Sequence, residues 1–348
     1  MAKKKVTQSK IAEVLGISRN TVSKALNNDN SVSEQLRRKI RNTAIEMGYT
    51  KLVVMDEKGG VYQQNIALVS IGNVLADSFW NTFVVGFEKR LRMLRYNLTL
   101  SIVDEEEAKM LVIPNNLSSS YVSGIVFIGI CTKEFAEKLI SLGIPTVFID
   151  TFWDVDINNL YADTILVDNY HSVYKITEQL IQSGHKNIGF SGDIYTCRSY
   201  YERWLGYKQA LLDYKLEYNE NLCTIGQNIV GKYADGVALY EKFKKIQEKP
   251  TAMVCCNDGC AIQFMIHLKE DNYRIPEDIA VAGFDNIRES EYFYPSLTTV
   301  EGYRENLGKR AADQIVKRIA EPLEQFELIR LQSKPVFRDS TKLTLHKK

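Results

Sequence analysis

From residue 65 onward, short runs of uninterrupted apolar residues alternate with longer runs whose apolar residues recur at helical spacing, and few folds satisfy that pattern. The apolar runs are NIALVSI, LTLSIV, GIVFIG, PTVFID, TILVDN, NIGFSGD, AMVCCND and IAVAGFD. Between them lie VVGFEKRLRMLRY, KEFAEKLISLG, SVYKITEQLIQSG, ERWLGYKQALLDY and DGVALYEKFKKI. A strand with no polar side has both faces covered, so the alternation predicts parallel sheets layered by helices, an α/β body. Ligands of such bodies bind beyond the carboxyl ends of the strands. There the chain places Ser78-Phe79-Trp80, Asp150, Asn257-Asp258 and Asp285-Asn286. Carboxylates and amides bond hydroxyls in pairs while ring faces stack, which suits a polyol. An Asp or Asn at a strand end also caps the next helix, and the sequence leaves both roles open.

The first fifty residues have a different character. Residues 1–51 hold 11 Lys and Arg against 4 Asp and Glu, whereas the remainder holds 33 against 39. The near-zero total hides a basic head on a mildly acidic body, and a basic head meets polyanions. Three short helices are predicted in it. Thr7 caps the first, with Ile11, Ala12 and Leu15 on one face and Gly16 at its end. Ser18 caps the second, with Val22, Ala25 and Leu26 inward. Ser33 caps a third, along which Leu36, Ile40, Ala44 and Met47 recur before Gly48. Two helices joined through "GIS" and closed by a third form a helix-turn-helix unit.

With Val22, Ala25 and Leu26 inward, Arg19, Asn20, Ser23 and Lys24 project from the N-terminal half of the second helix. Arg can pair two donors with a guanine edge, and Asn offers a donor and an acceptor to adenine. Thr7, Thr21 and Ser23 are sized for phosphate oxygens, with Ser18, Asn27 and Ser33 completing the expected DNA-facing set, and RRKIR on the third helix adds sequence-independent attraction. The bland alternative is a solvated helix face.

The stretch VTQSKIAEVLGISRNTVSKALNNDNSVSEQLRRKIRNTAIEMGY resembles the headpiece of the lactose-repressor (LacI/GalR) family of bacterial transcriptional regulators, whose V-S-x-x-T-V-S-x-x-L signature stands here as ISRNTVSKAL. The resemblance implies that Arg19, Asn20 and Lys24 read bases. It also implies a pseudo-palindromic double-stranded operator and a homodimer. It extends over the body through VDNYHSVYKITEQLIQSGHKNIGFSGD, ERWLGYKQAL, CCNDGCAIQF, IPEDIAVAGFDNIRESEYFYPSLTTV and KPVFRDST, which look like blocks of the family's effector domain. That domain is similar to periplasmic sugar-binding proteins: two α/β lobes with the ligand between them. Effector contacts then map onto Phe79 or Trp80, Asp150, Arg203, Tyr233, Asn257 and Asp285, with a carbohydrate as the first class of effector and nucleobases as the second.

Two departures stand out. Where the family continues Tyr-x-Pro-Asn into a hinge helix ending in a minor-groove Leu, this chain reads YTKLVVMDEKGGVYQQN, with Lys51 and Leu52 for Pro and Asn and Lys58 for the wedge. The pair Gly59-Gly60 and the β-branched Val53-Val54 disfavour a helix there. The segment SIVDEEEAKMLVIPNNLSSSYVSG is shorter than usual, which predicts a truncated helix. No C-terminal heptad seam is present.

The expected organisation is a head over 1–50, an atypical linker over 51–64 and a body over 65–348. Within the body, lobe 1 is expected at about 65–162 and 293–325, and lobe 2 at about 163–292 and 326–348. No cofactor or metal is expected, because the four His are scattered and the Cys sit singly or inside apolar runs. The basic start and the lack of any run of membrane-spanning length predict a cytoplasmic protein.

Two other functions compete. GQNIVGKY, residues 226–233, has a phosphate-loop skeleton but ends in Tyr where magnesium ligation needs Ser or Thr. GFSGD approaches a nucleophile elbow with Asp193 at the second outer Gly. Neither makes a complete catalytic set. A sugar receptor with weakened DNA binding is the remaining alternative, suggested by the linker and opposed by the intact second helix.

Overall fold

The computed structural model describes residues 6–26, 29, 31–47, 64–74, 78–119, 121–156, 159–225 and 236–342. The expected linker up to residue 63, together with Asn27, Gly48, Tyr233 and the GQNIVGKY segment, lies outside them, while Gln64, expected as its last residue, begins a strand. Contacts divide the chain into an N-terminal and a C-terminal unit, separated between Gln63 and Gln64.

The N-terminal unit is three helices, α1 (Gln8–Leu15), α2 (Arg19–Leu26) and α3 (Glu34–Glu46). Thr7 holds extended backbone, and its hydroxyl accepts the Lys10 N–H at 3.3 Å. Gly16 ends α1 at φ 65°, a left-handed conformation that glycine adopts without a Cβ penalty. Its N–H donates to the Ala12 and Glu13 carbonyls. Ser18 caps α2 by accepting the Thr21 N–H at 3.0 Å, and Ser33 caps α3 by accepting from Leu36 at 3.4 Å. Ile11, Ala12, Val22, Ala25, Leu26, Val32, Ile40 and Ala44 make one small core drawn from all three helices. Each helix is too short to persist alone, so this shared core carries the unit.

In the C-terminal unit the order is β1 (Gln64–Ile71), α4 (Ser78–Met93), β2 (Tyr96–Val103), α5 (Glu105–Lys109), β3 (Gly124–Ile128), α6 (Lys133–Ile140), β4 (Thr146–Ile149), β5 (Asp163–Val167), α7 (Asn169–Gln182), β6 (Ile188–Gly192) and α8 (Arg198–Asp213). There follow β7 (Thr224–Ile225), α9 (Gly236–Lys244), β8 (Ala252–Cys255), α10 (Asp258–Glu270), β9 (Ala280–Ala282), α11 (Arg288–Tyr292), β10 (Thr299–Glu301), α12 (Arg304–Ala320), β11 (Leu328–Leu331) and β12 (Lys334–Val336). One parallel sheet runs β11-β5-β4-β3-β1-β2, with Ile66 beside Leu98 and Gly124, and Ile165 beside Ile149 and Ile329. A second parallel sheet runs β7-β6-β8-β9, with Ala252 between Ile188 and Ala280. Antiparallel β10 and β12 form a third, two-stranded sheet.

All eight apolar runs are strands, and the two main sheets make two lobes. The lobe limits differ from the sequence expectation. β5 and β11 were expected in lobe 2, yet both pair in the first sheet, so the chain crosses after Val167 and after Leu331. Neither the buried β5 nor the edge strand β11 carries anything local that says which sheet it joins; long-range pairing decides. The helix between β2 and β3 is truncated as expected. α5 is five residues long, opened by a capping box in which Asp104 and Glu107 each accept the other's backbone N–H. Among the described residues, no helix is long and apolar enough to cross a membrane.

Candidate nucleic-acid interface and ligand cleft

On α2 the inward and outward faces separate cleanly. Val22, Ala25 and Leu26 are 0%, 0% and 5% exposed, whereas Arg19, Asn20 and Lys24 are exposed. Thr21 and Ser23 are half-buried between them. Thr7, Ser18 and Ser33 are exposed and each spends an acceptor lone pair on capping, which at Thr7 and Ser33 leaves the hydroxyl hydrogen to donate to a phosphate. Ser18 and Thr21 hydroxyls also meet at 2.8 Å. The Lys24 ammonium donates to the Ser31 hydroxyl at a long 3.4 Å. Beside it, hydrogen bonds from Ser31, then the charges of Lys24 and Arg37, hold the Asp29 carboxyl below its ordinary range. The exposed stripe therefore presents a guanidinium and an amide from the first turn of α2 and an ammonium from its last.

A cleft of about 600 Å³, open solvent at its mouth included, lies in the C-terminal unit. The first lobe lines it with Phe79 and Trp80 from the first turn of α4, Gly129 and Ile130 after β3, Ile149 and Asp150 at the end of β4, Ile165 to Val167 of β5, and Leu307 of α12. The second lobe adds Cys197, Ser199, Tyr200 and Arg203 at α8, Asn257 before α10 and Asp285 after β9. Six residues singled out in the sequence thus meet in one place. Phe79 and Trp80 were expected in a loop, but they belong to a helix that begins at Ser78.

Arg203 organises the second-lobe wall. Its side chain is 5% exposed, and Nε donates to Asn169 Oδ1 at 2.9 Å while Nη1 donates to the Cys256 carbonyl at 2.6 Å. Nη2 approaches Asp285 at 3.5 Å, and the guanidinium lies 3.6 Å from the centre of the Phe284 ring. Asn257 caps α10 through Oδ1 and uses Nδ2 to donate to the Tyr200 hydroxyl at 2.7 Å, so it fills the capping role while lining the cleft. Asp285 stands at φ 115° and Asp150 at φ 70°, conformations that L residues rarely hold and that concentrate at functional sites. Burial pushes the Asp150 carboxyl up, against hydrogen bonds from the Ser199 and Thr151 amides at 3.1 and 2.7 Å. Next to the site, Asp258 is wholly buried. Burial and then the Asp285 charge raise its carboxyl well above the ordinary range, although Thr299 and the Ile287 amide donate to it.

Ser199 and Tyr200 were not foreseen. They stand four and three residues before Arg203 on the same helix, the spacing that shares a face, and that signal finds them. The GFSGD motif makes no elbow: Ser191 is 0% exposed inside β6 and its hydroxyl accepts from Thr224 at 2.8 Å. Among the described residues no cluster of His, Cys, Asp and Glu could hold a metal ion.

Comparison with known proteins gives two matching family models. Residues 9–51 match bacterial regulatory proteins of the lacI family, and residues 177–341 match the periplasmic binding protein-like domain. Curated relatives include catabolite control protein A of Priestia megaterium, 27% identical over 97% of this chain and 99% of that protein. The ribose operon repressor of Haemophilus influenzae is 26% identical over 96% and 98%, and the HTH-type transcriptional repressor PurR of Vibrio atlanticus 29% identical over 95% and 97%. Among solved structures, a complex of the transcriptional regulator CelR with cellobiose superposes with a TM-score of 0.71 at 24% identity, covering 97% of this chain and all of that one. The lac repressor dimer bound to operator superposes at 0.68 and 22%, covering 97% and 99%. At those identities the superpositions establish the fold.

Proposed function

Because this chain belongs to the lacI family of bacterial regulatory proteins, we propose that it reads a pseudo-palindromic operator through Arg19, Asn20 and Lys24 and answers to a small molecule held between its lobes. Membership makes it a DNA-binding transcriptional repressor rather than an enzyme. The observation that carries the residue-level reading is the division of α2 into a buried apolar face and an exposed Arg, Asn and Lys face. Thr21, Ser23 and the caps Thr7, Ser18 and Ser33 hold the phosphates in this reading, setting register without sequence information.

The effector is a carbohydrate bound by Arg203, Asn257, Asp285 and Tyr200, with Phe79 and Trp80 as its apolar platform. Supporting this are the convergence of these groups in one cleft and the sugars named for two similar proteins, the ribose operon repressor and the CelR–cellobiose complex. Two heads on a palindrome require a homodimer. The effector shifts the lobes between two arrangements by binding one more tightly, and the operator affinity follows.

Selection of genomic fragments with purified protein, followed by anisotropy titration with and without sugars, tests both halves. Capture of discrete fragments whose affinity one sugar changes is the expected result. Binding of random and genomic DNA alike would remove the operator reading. A response to nucleosides alone would replace the carbohydrate.

A further inference from the structure

Helix α8 belongs to the second lobe and strand β11 to the first, yet a fork from an exposed arginine to a buried carboxylate joins them. Arg330 of β11 donates from Nη1 to Glu202 Oε2 at 2.6 Å and from Nη2 to Oε1 at 2.7 Å. Arg198, one turn earlier on α8, donates to the same carboxylate at 2.9 Å. The Glu202 side chain is 5% exposed, and neither it nor Arg330 lines the cleft. Glu202 directly precedes Arg203, and Tyr200 stands two residues before it on the same helix.

Among the described residues other polar bonds also cross the lobes, including Arg304 Nη2 to the Asn286 carbonyl at 2.8 Å and Arg198 Nη1 to the Trp153 carbonyl at 3.4 Å, but none of these is a two-bond ion pair. Asp150 accepts the Ser199 N–H at 3.1 Å, and Thr151 accepts the Arg198 N–H at 2.8 Å through its carbonyl. Ser78 reaches Glu289 at only 3.4 Å. A bidentate guanidinium–carboxylate pair is charge-assisted twice and tolerates little misalignment. β11 also leads straight into a crossing between the lobes, so rotation about the crossings changes the angle between the Arg330 fork and its partner. Arg198 sits on the same helix as Glu202 and moves with it, so only Arg330 makes the carboxylate's satisfaction depend on lobe separation. Asp168, at the crossing before α7, faces Arg330 as the remaining charged neighbour.

We propose that Glu202 is a positioning residue: held by Arg330, it docks α8, and with it Tyr200 and Arg203, at the distance from the first sheet that the closed cleft requires. Its relevance to effector binding rests on the cleft reading above; the tie itself does not. Without Arg330 the buried carboxylate keeps one partner, and moving toward water becomes favourable.

Spin labels at Lys138→Cys in α6 and Lys245→Cys just after α9 report lobe separation in the full-length protein. A Cys223→Ser background is used, because the other native thiols are buried. With doubly labelled protomers mixed into an excess of unlabelled protein, so that only distances within one protomer are read, the parent gives one narrow distance distribution. Arg330→Met and Glu202→Gln each move it to longer separations by more than its width, Arg330→Lys moves it less, and the double variant moves no further than either single one. An unchanged distribution in Arg330→Met overturns the proposal, even if its melting temperature falls. Should Arg330→Met not fold, Arg330→Lys decides: a shift supports the tie and its absence overturns it. Neither DNA nor effector enters this measurement, so a negative result leaves the repressor reading standing, and failed operator binding leaves the tie standing.

Discussion

Arg203 shows how one side chain can hold a cleft wall together. Its fork bonds an amide and a carbonyl, its plane covers Phe284, and Asp285 lies at its edge. Arg203→Met leaves those acceptors buried and is expected to cost about 3 kcal/mol of unfolding free energy. Arg203→Lys should cost part of that, because an ammonium neither forks nor stacks as a guanidinium does. Denaturant titration measures both, and a loss near zero would mean that the cleft wall holds itself. Glu202 supplies a pH test. Burial acts to raise its pKa, but Arg330 and then Arg198 outweigh burial, and the carboxyl ends below its ordinary range. A depressed carboxyl contributes stability that is complete above the ordinary range and is lost as pH falls through the lowered value. Glu202→Gln should therefore melt below the parent at neutral pH, with the gap narrowing under acid conditions. A gap independent of pH would contradict the charged pair. At this scale the exposure of Arg19, Asn20 and Lys24 and the position of Asn257 and Asp285 at the cleft were legible, because helical periodicity fixes which side chains face outward and the strand ends of the body open into the cleft. Glu202 was not, since its partner lies 128 residues away.

Helix contacts transmit geometry to the cleft through glycines. A Cβ on Gly86 of α4 would stand 2.1 Å from the Glu305 carbonyl oxygen, and one on Gly308 of α12 would stand 2.2 Å from that of Phe83. α4 begins with Phe79 and Trp80, and α12 carries Leu307, so these glycines set the width of the first-lobe wall. Gly308→Ala should destabilise by about 1–3 kcal/mol through overpacking and weaken binding of the proposed effector with it, read by denaturation and by titration. Unaltered values would show that the helices can part freely. The eight main strands were readable because burial on both faces makes them continuously apolar. β11 and β12 were not: β11 alternates exposed and half-buried residues, and Pro335 interrupts β12. α10 escaped notice because apolar residues surround nearly its whole circumference, and α12 because Tyr303 starts it in a left-handed conformation without a side-chain cap.

At the scale of the whole molecule, a reader of DNA and a reader of a small molecule share one chain. The linker sequence lacks the family's wedge residue, with Lys58 at its place. Operators altered at their central base pairs should accordingly bind almost as well as the parent operator, and a steep loss would show that the centre is read after all. Charge adds a second expectation: affinity should fall with salt in proportion to the phosphates neutralised by the basic head. The central claim concerns three side chains, and anisotropy of a labelled operator against an Arg19→Ala, Asn20→Ala, Lys24→Ala variant tests it most directly. Loss of discrimination between operator and scrambled DNA, on the order of 1–3 kcal/mol for each bidentate base contact removed, with the fold intact by circular dichroism, is the predicted result; discrimination equal to that of the parent protein would contradict it.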